Sequence, residues 1–90
     1  MFSKTWIVIK DDTARTFEVI TQATNENTYA NKAVAMQRDG MNVTCVTIPA
    51  SNRHASREAI SFIGYTREAG LYHRLLKQHN EIILRQAGEW

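Results

Sequence analysis

Cysteine, proline and glycine are all scarce in this chain: one, one and four among ninety residues. A single thiol, Cys45, cannot close an internal disulfide, which sets aside the cross-linked secreted scaffolds and fits a reducing compartment. Little glycine and proline beside an apolar fraction of 43% argues against a disordered chain. No apolar run approaches the length needed to cross a membrane. The opening Met-Phe-Ser-Lys-Thr-Trp leads into a strand-like run and not into the apolar segment of an export signal, so the expected location is cytoplasmic. For the same reason the sequon Asn42-Val43-Thr44 is read as accidental.

An excess of one charge is lacking too. Eleven Lys and Arg against nine Asp and Glu leave a formal +2, short of the asymmetry of an evident nucleic-acid binder. Residues 1–48 carry five positive and five negative side chains, whereas residues 49–90 carry six and four. Ninety residues make one domain, 1–90, with a core of modest size. Its stability alone is marginal, so association with a second copy or another partner is expected.

Turning to what is present, Thr5-Trp6-Ile7-Val8-Ile9 is apolar on both alternating faces and rich in β-branched residues, the pattern of an interior strand. Asp11-Asp12-Thr13 reads as a turn into Arg15–Thr21, where Phe17 and Val19 alternate with Thr16 and Glu18, completing a β-hairpin. A helix follows, with Asn25 as N-cap, Glu26 in the first turn, and Tyr29, Ala30, Ala33 and Met36 at helical spacing. Asp39-Gly40 closes it, since glycine takes the left-handed C′ conformation without a steric penalty. Met41 to Ile48 has the character of a third strand, ended by Pro49, which lacks an N–H. The helix is then a crossover that brings strand three beside strand one, giving the order 2-1-3.

After a polar loop, Ser56-Arg57-Glu58-Ala59 and Thr66-Arg67-Glu68-Ala69 echo one another, each a hydroxyl residue ahead of an acid. They read as two helix starts: a short helix ending at Gly64 and a long one over Thr66–Gln86, weakened at Gly70 and ended at Gly88. In the long helix Tyr72, Leu75, Leu76, His79, Ile82 and Ile83 fall on one stripe. The expectation is an α+β fold, a small three-stranded antiparallel-type sheet in the sequence β-β-α-β-α-α with a long C-terminal amphipathic helix.

Motifs of chemistry are missing. His73 and His79 lie about 240° apart around a helix and cannot chelate one ion together. No Cys-x-x-Cys or His-x-x-x-His spacing occurs with His54 or Cys45, so no metal and no cofactor is expected. Cys45, between Val43 and Val46, reads as a small buried hydrophobe, and Glu58 and Glu68 are explained by the helix dipole. Without a phosphate loop or nucleophile elbow, no enzyme activity and no catalytic residue is expected.

Two binding surfaces remain. If the helices cover the sheet face of Ile7, Ile9, Phe17 and Val19, the opposite face presents Trp6, Val8, Ile20, Val46 and Ile48, a large apolar area that marks an interaction site. Leu84, off the main stripe, joins this protein interface, and Trp90 has no evident burial site. His79, inside the stripe, is read as a core-edge histidine or as a polar specifier of helix pairing. The expected function is that of a small non-enzymatic regulatory or inhibitory protein, a homodimer binding a protein partner, of the kind mobile elements such as phages carry. The alternative is RNA or DNA binding through Arg53, Arg57, Arg67, Arg74 and Lys77, residues that are read first as a solvated helix face interleaved with Glu68 and Glu81.

Overall fold

In the computed structural model, which describes residues 5–23, 27–49 and 56–88, a mixed four-stranded sheet carries two helices on one face and an irregular segment on the other. Strands β1 (Thr5–Asp11) and β2 (Thr16–Ala23) form the antiparallel hairpin. Asp11 organises the turn between them, its Oδ1 accepting the amide hydrogens of Thr13 at 3.0 Å and Ala14 at 3.1 Å. Arg15 completes the reversal in the left-handed region, at φ 58°. Helix α1 (Asn27–Arg38) then crosses over, and β3 (Val43–Pro49) returns antiparallel to β1 on its free side. Flanked on both edges and covered on both faces, β1 is the centre of the molecule: Ile7, Val8 and Ile9 are fully buried.

Gly40 stops α1 at φ 91°, and the Met41 amide reaches back to the Met36 carbonyl at 3.0 Å, the six-to-one bond of a glycine-terminated helix. Asn25 and Glu26, read as its cap and first-turn acid, lie outside the described residues. From β3 to β1 to β2 the strand order is the expected 2-1-3, but it is part of a longer order, β3-β1-β2-β4.

That fourth strand corrects the sequence reading. Thr66–Arg67 is β4, parallel to β2, and no helix begins at Thr66. The Thr66 amide bonds to the Arg15 carbonyl and the Glu68 amide to that of Phe17, both at 2.9 Å. Helix α2 (Leu71–Ala87) begins only after Gly70, whose φ of 79° breaks the chain direction. The expected helix from Ser56 to Gly64 is likewise not formed. Ser56 accepts the amides of Ala59 and Ile60, making a single turn, and the chain then lays Ile60, Phe62 and Tyr65 on the sheet. A second turn, from the Phe62 carbonyl to the Tyr65 amide, uses Gly64 at φ 85° as its third residue. It hands the chain to the free edge of β2, where sheet pairing prevails over the capping pattern of Thr66-x-Glu68. The element order is therefore β-β-α-β-β-α.

The face assignment changes as well. Between Ile7 and Val8 the pairing with β2 shifts: Ile7 opposes Thr21, Val8 opposes Val19, and Ile20 is the extra, bulged residue. On the turn side of this bulge the register runs unbroken from Asp11 opposite Thr16, so Phe17 and Val19 share a face with Lys10 and Val8, and not with Ile9. The helix face gathers Ile9 and Val43 with Ala33 and Met36 of α1 and Leu71 and Leu75 of α2, and Ile20 packs against this group. The opposite face holds Val8, Phe17 and Val19 beneath Ile60, with Trp6, Val46, Ile48, Phe62 and Tyr65 half-buried around them.

Candidate functional site

The segment over the second face is held by cations. Arg57 donates to the Val19 carbonyl at 2.8 Å and to that of Ile20 at 3.3 Å, satisfying the β2 edge beyond the end of β4. Arg67 donates to the Ile60 carbonyl at 2.6 Å and lies 5.0 Å from the centre of the Phe17 ring. Arg57 also stacks on Trp6 at 5.7 Å, Arg15 on Tyr65 at 5.6 Å, and Lys10 sits between Tyr65 and Phe62 at 4.7 and 5.0 Å. A guanidinium or ammonium over a ring face is drawn by the ring quadrupole, worth about 0.5–1 kcal/mol at exposed sites. Asp12 accepts hydrogen bonds from Tyr65 and Thr44, tying this segment to the hairpin turn and β3. The bond to Asp12 raises the pKa of the Tyr65 phenol. Among the described residues, Arg15, Arg57 and Arg67 make no ion pair.

A second group lies on the helix face, at the hairpin end of β1. Arg74 of α2 bonds both Glu68 oxygens, at 2.7 and 3.0 Å, and Asp11 Oδ2 at 2.9 Å. Burial pushes the Asp11 carboxyl up, but the hydrogen bonds from Arg74 and from the turn amides outweigh it and hold the pKa below the ordinary value. Glu68 is lowered chiefly by its hydrogen bond to Arg74, and the guanidinium of Arg74 is held more firmly charged than usual by the same two partners. Beside this triad, His79 Nδ1 approaches Asp39 Oδ2 to 3.3 Å without hydrogen-bond alignment, and the ring is 5% exposed. A cleft of about 390 Å³ opens here, reaching from Asp11 and Arg74 to Asp39 and Gln78. Its one cation is already matched by two carboxylates. Among the described residues no three His, Cys, Asp or Glu side chains converge as metal ligands.

The third region is α2 itself. Its buried residues, Leu71, Leu75 and His79, all lie in the first half. Ile82 is half-buried, whereas Ile83 is 43% and Leu84 69% exposed. Around its outer side, starting at Leu76, which is half-buried against the core, His73, Leu76, Lys77, Asn80, Glu81 and Leu84 line a shallow groove of about 490 Å³.

The residues singled out from the sequence do not form the surfaces expected of them. Of the apolar set, Val8 is fully buried within the chain and Ile20 faces the helices. Trp6, Val46 and Ile48 stay together, half-buried beside the covering segment, and Leu84 is apart on α2. Of the basic set, Arg53 lies outside the described residues, as do His54 and Trp90. Arg57 and Arg67 meet on the second face; Arg74 is locked in its triad; Lys77 is on the outer side of α2. Sequence reasoning missed Lys10 and Arg15, which join Arg57 and Arg67 on that face. Their signal was their position one pleat or one turn away from aromatic residues, readable only once the path of residues 56–65 is known. No helix among the described residues is long and apolar enough to cross a membrane. Comparison with protein-family models, with characterised proteins and with solved structures finds no match to this chain.

Proposed function

We propose that this chain is a non-enzymatic binding protein, regulatory or inhibitory in role, that acts by contact with another polypeptide through the half of α2 that leaves the sheet. The observation that supports this reading is the change in burial along α2. After His79 no residue of the helix is fully buried, and Ile82 is half-buried against the core, yet the helix continues for two turns bearing the exposed Ile83 and Leu84. Apolar surface left exposed forgoes about 25 cal/mol per Å² that contact would recover. A projecting helix end of this composition is the form of an element that is covered when in use. The test places a photoreactive residue at Leu84 and, as a control, at exposed Lys32 of α1, in cells producing the protein. A polypeptide adduct specific to position 84 is expected; none, or equal labelling at both positions, overturns the reading.

A second reading is favoured by the other sheet face, where Lys10, Arg15, Arg57 and Arg67 alternate with aromatic rings. Single-stranded nucleic acids are held by such surfaces, with phosphates on the cations and bases on the rings. Titration of a labelled oligonucleotide at about 50 and 200 mM salt tests it, since binding by this face falls steeply between those concentrations. Absence of binding at the lower salt sets it aside.

A further inference from the structure

We propose that the outer face of α2 pairs two copies of this chain, antiparallel, about a two-fold axis through Asn80. The inference rests on the reading of α2 as the contact element and names what occupies it. Leu71, Leu75 and His79 turn one side of the helix to the sheet; the groove runs from the half-buried Leu76, which also touches the core, round to the exposed Asn80 and Leu84. There Leu76, Asn80 and Leu84 follow one another at intervals of four, forming a single ridge along the helix. Two such ridges run alongside one another at a crossing of about −50°, the commonest angle between packed helices. With the crossing point at Asn80, Leu76 of each copy falls against Leu84 of the other. Ile83, on the flank shared with Leu76, extends the same apolar contact.

The charges select a second copy as the occupant. In an antiparallel pair related by a two-fold axis, like flanks meet. Lys77 stands three residues before Asn80 and Glu81 one residue after it, both on the flank away from Ile83. Lys77 of one copy therefore comes within about 3 Å, measured along the axis, of Glu81 of the other, and the pair occurs twice. Parallel pairing about a two-fold axis brings unlike flanks together, so Lys77 and Glu81 would face the Ile83 flank of the other copy, and the charges are matched in the antiparallel direction only. Asn80 fits the axis for a related reason. Its amide both donates and accepts, so two copies can satisfy each other, and a polar residue at such a position fixes register. The interface is isologous and closes at two copies. A contact of two or three turns is smaller than a standard interface, so the association is a weak one.

Sedimentation equilibrium of the full chain from about 5 to 500 μM tests the proposal, with melting curves to confirm that each variant is folded. Lys77→Glu alone and Glu81→Lys alone each turn two attractions into two repulsions and are expected to weaken dimerisation at least tenfold. Combining the two substitutions restores it to within about threefold. In a Cys45→Ala background, Asn80→Cys is expected to form a symmetric disulfide between copies, whereas Gln78→Cys, on another side of the helix, does not. A strict monomer at 500 μM, or a dimer that the double exchange fails to rescue, overturns the proposal. If the chain is monomeric while position 84 still labels a different protein, the pairing is wrong and the function proposed above stands.

Discussion

Glu18, on β2, accepts the Gly70 amide at 2.7 Å, and its other oxygen accepts the Tyr72 amide at 3.0 Å. The first turn of α2 is thus capped by a carboxylate 52 residues away, and Gly70 supplies no side-chain cap of its own. The cap also sets an anion against the positive end of the helix dipole. Glu18→Ala is expected to destabilise the fold by about 1–2 kcal/mol, and Glu18→Gln by less, since one acceptor oxygen remains. Urea unfolding of the three proteins measures it; an unchanged midpoint in Glu18→Ala would mean that the helix is held by packing alone.

Arg74 and its two carboxylates give the molecule a defined acid limit. Asp11 and Glu68 have folded-state pKa values below their ordinary 3.8 and 4.5. The unfolded chain therefore binds more protons than the folded one in this range. The stability they contribute is complete above the unfolded values and is lost as pH falls through the folded ones. Unfolding midpoints should be level from pH 7 to about 5 with respect to these groups and drop below about pH 4. Arg74→Leu is expected to cost roughly 1–2 kcal/mol at pH 7, the half-exposed guanidinium being partly screened, and to flatten that acid limb.

Leu75 and Leu84 occupy the two kinds of environment along α2, at 1% and 69% exposure. Leu75→Ala is expected to cost about 2–5 kcal/mol through lost burial and a residual cavity. Leu84→Ala should change monomer stability by less than about 0.5 kcal/mol. Melting at low protein concentration, below any association, separates the two.

Two left-handed residues flank the segment that covers the second face, Gly64 at φ 85° and Arg15 at φ 58°. A methyl group added at Gly64 meets only the end of the Arg15 side chain at 3.9 Å, so Gly64→Ala should cost about 1 kcal/mol from backbone strain alone. Arg15→Gly relieves the same strain and should stabilise by up to about 1 kcal/mol. A loss there instead would show that the Arg15–Tyr65 stacking outweighs the strain.

Local pattern was enough for the elements whose causes are local. The double apolar run of β1, the hairpin at Asp11, the Gly40 stop and the crossover through α1 all follow from residues near in sequence, and the 2-1-3 core is as the sequence implies. What escaped depends on distant partners. Thr66-Arg67-Glu68 looks like a helix start, and only the free edge of β2 makes it a strand. Ile60 and Phe62 are spaced like strand residues but belong to no strand; with Tyr65 they are a cover for Val8 and Phe17. The faces of Phe17, Val19 and Ile20 are opposite those expected because the turn pairs Asp11 with Thr16, which sets Phe17 and Val19 beside Lys10 and Val8; strand alternation alone does not reveal that register, nor the bulge that follows at Ile20. The apolar surface that Trp6, Val8, Ile20, Val46 and Ile48 were expected to present is accordingly divided between two faces and largely covered by the chain itself.

The Arg57 guanidinium, bonded to the Val19 and Ile20 carbonyls, closes with a side chain a stretch of border that β4 is too short to cover. Unsatisfied acceptors on an open strand border invite stacking of further chains. Arg57→Ala should leave the native core intact yet shorten the time to turbidity on warming, because the molecule would lose its stopper against fibril-like growth. Light scattering at constant temperature reads this directly, and equal lag times for the two proteins would assign that guard to another residue.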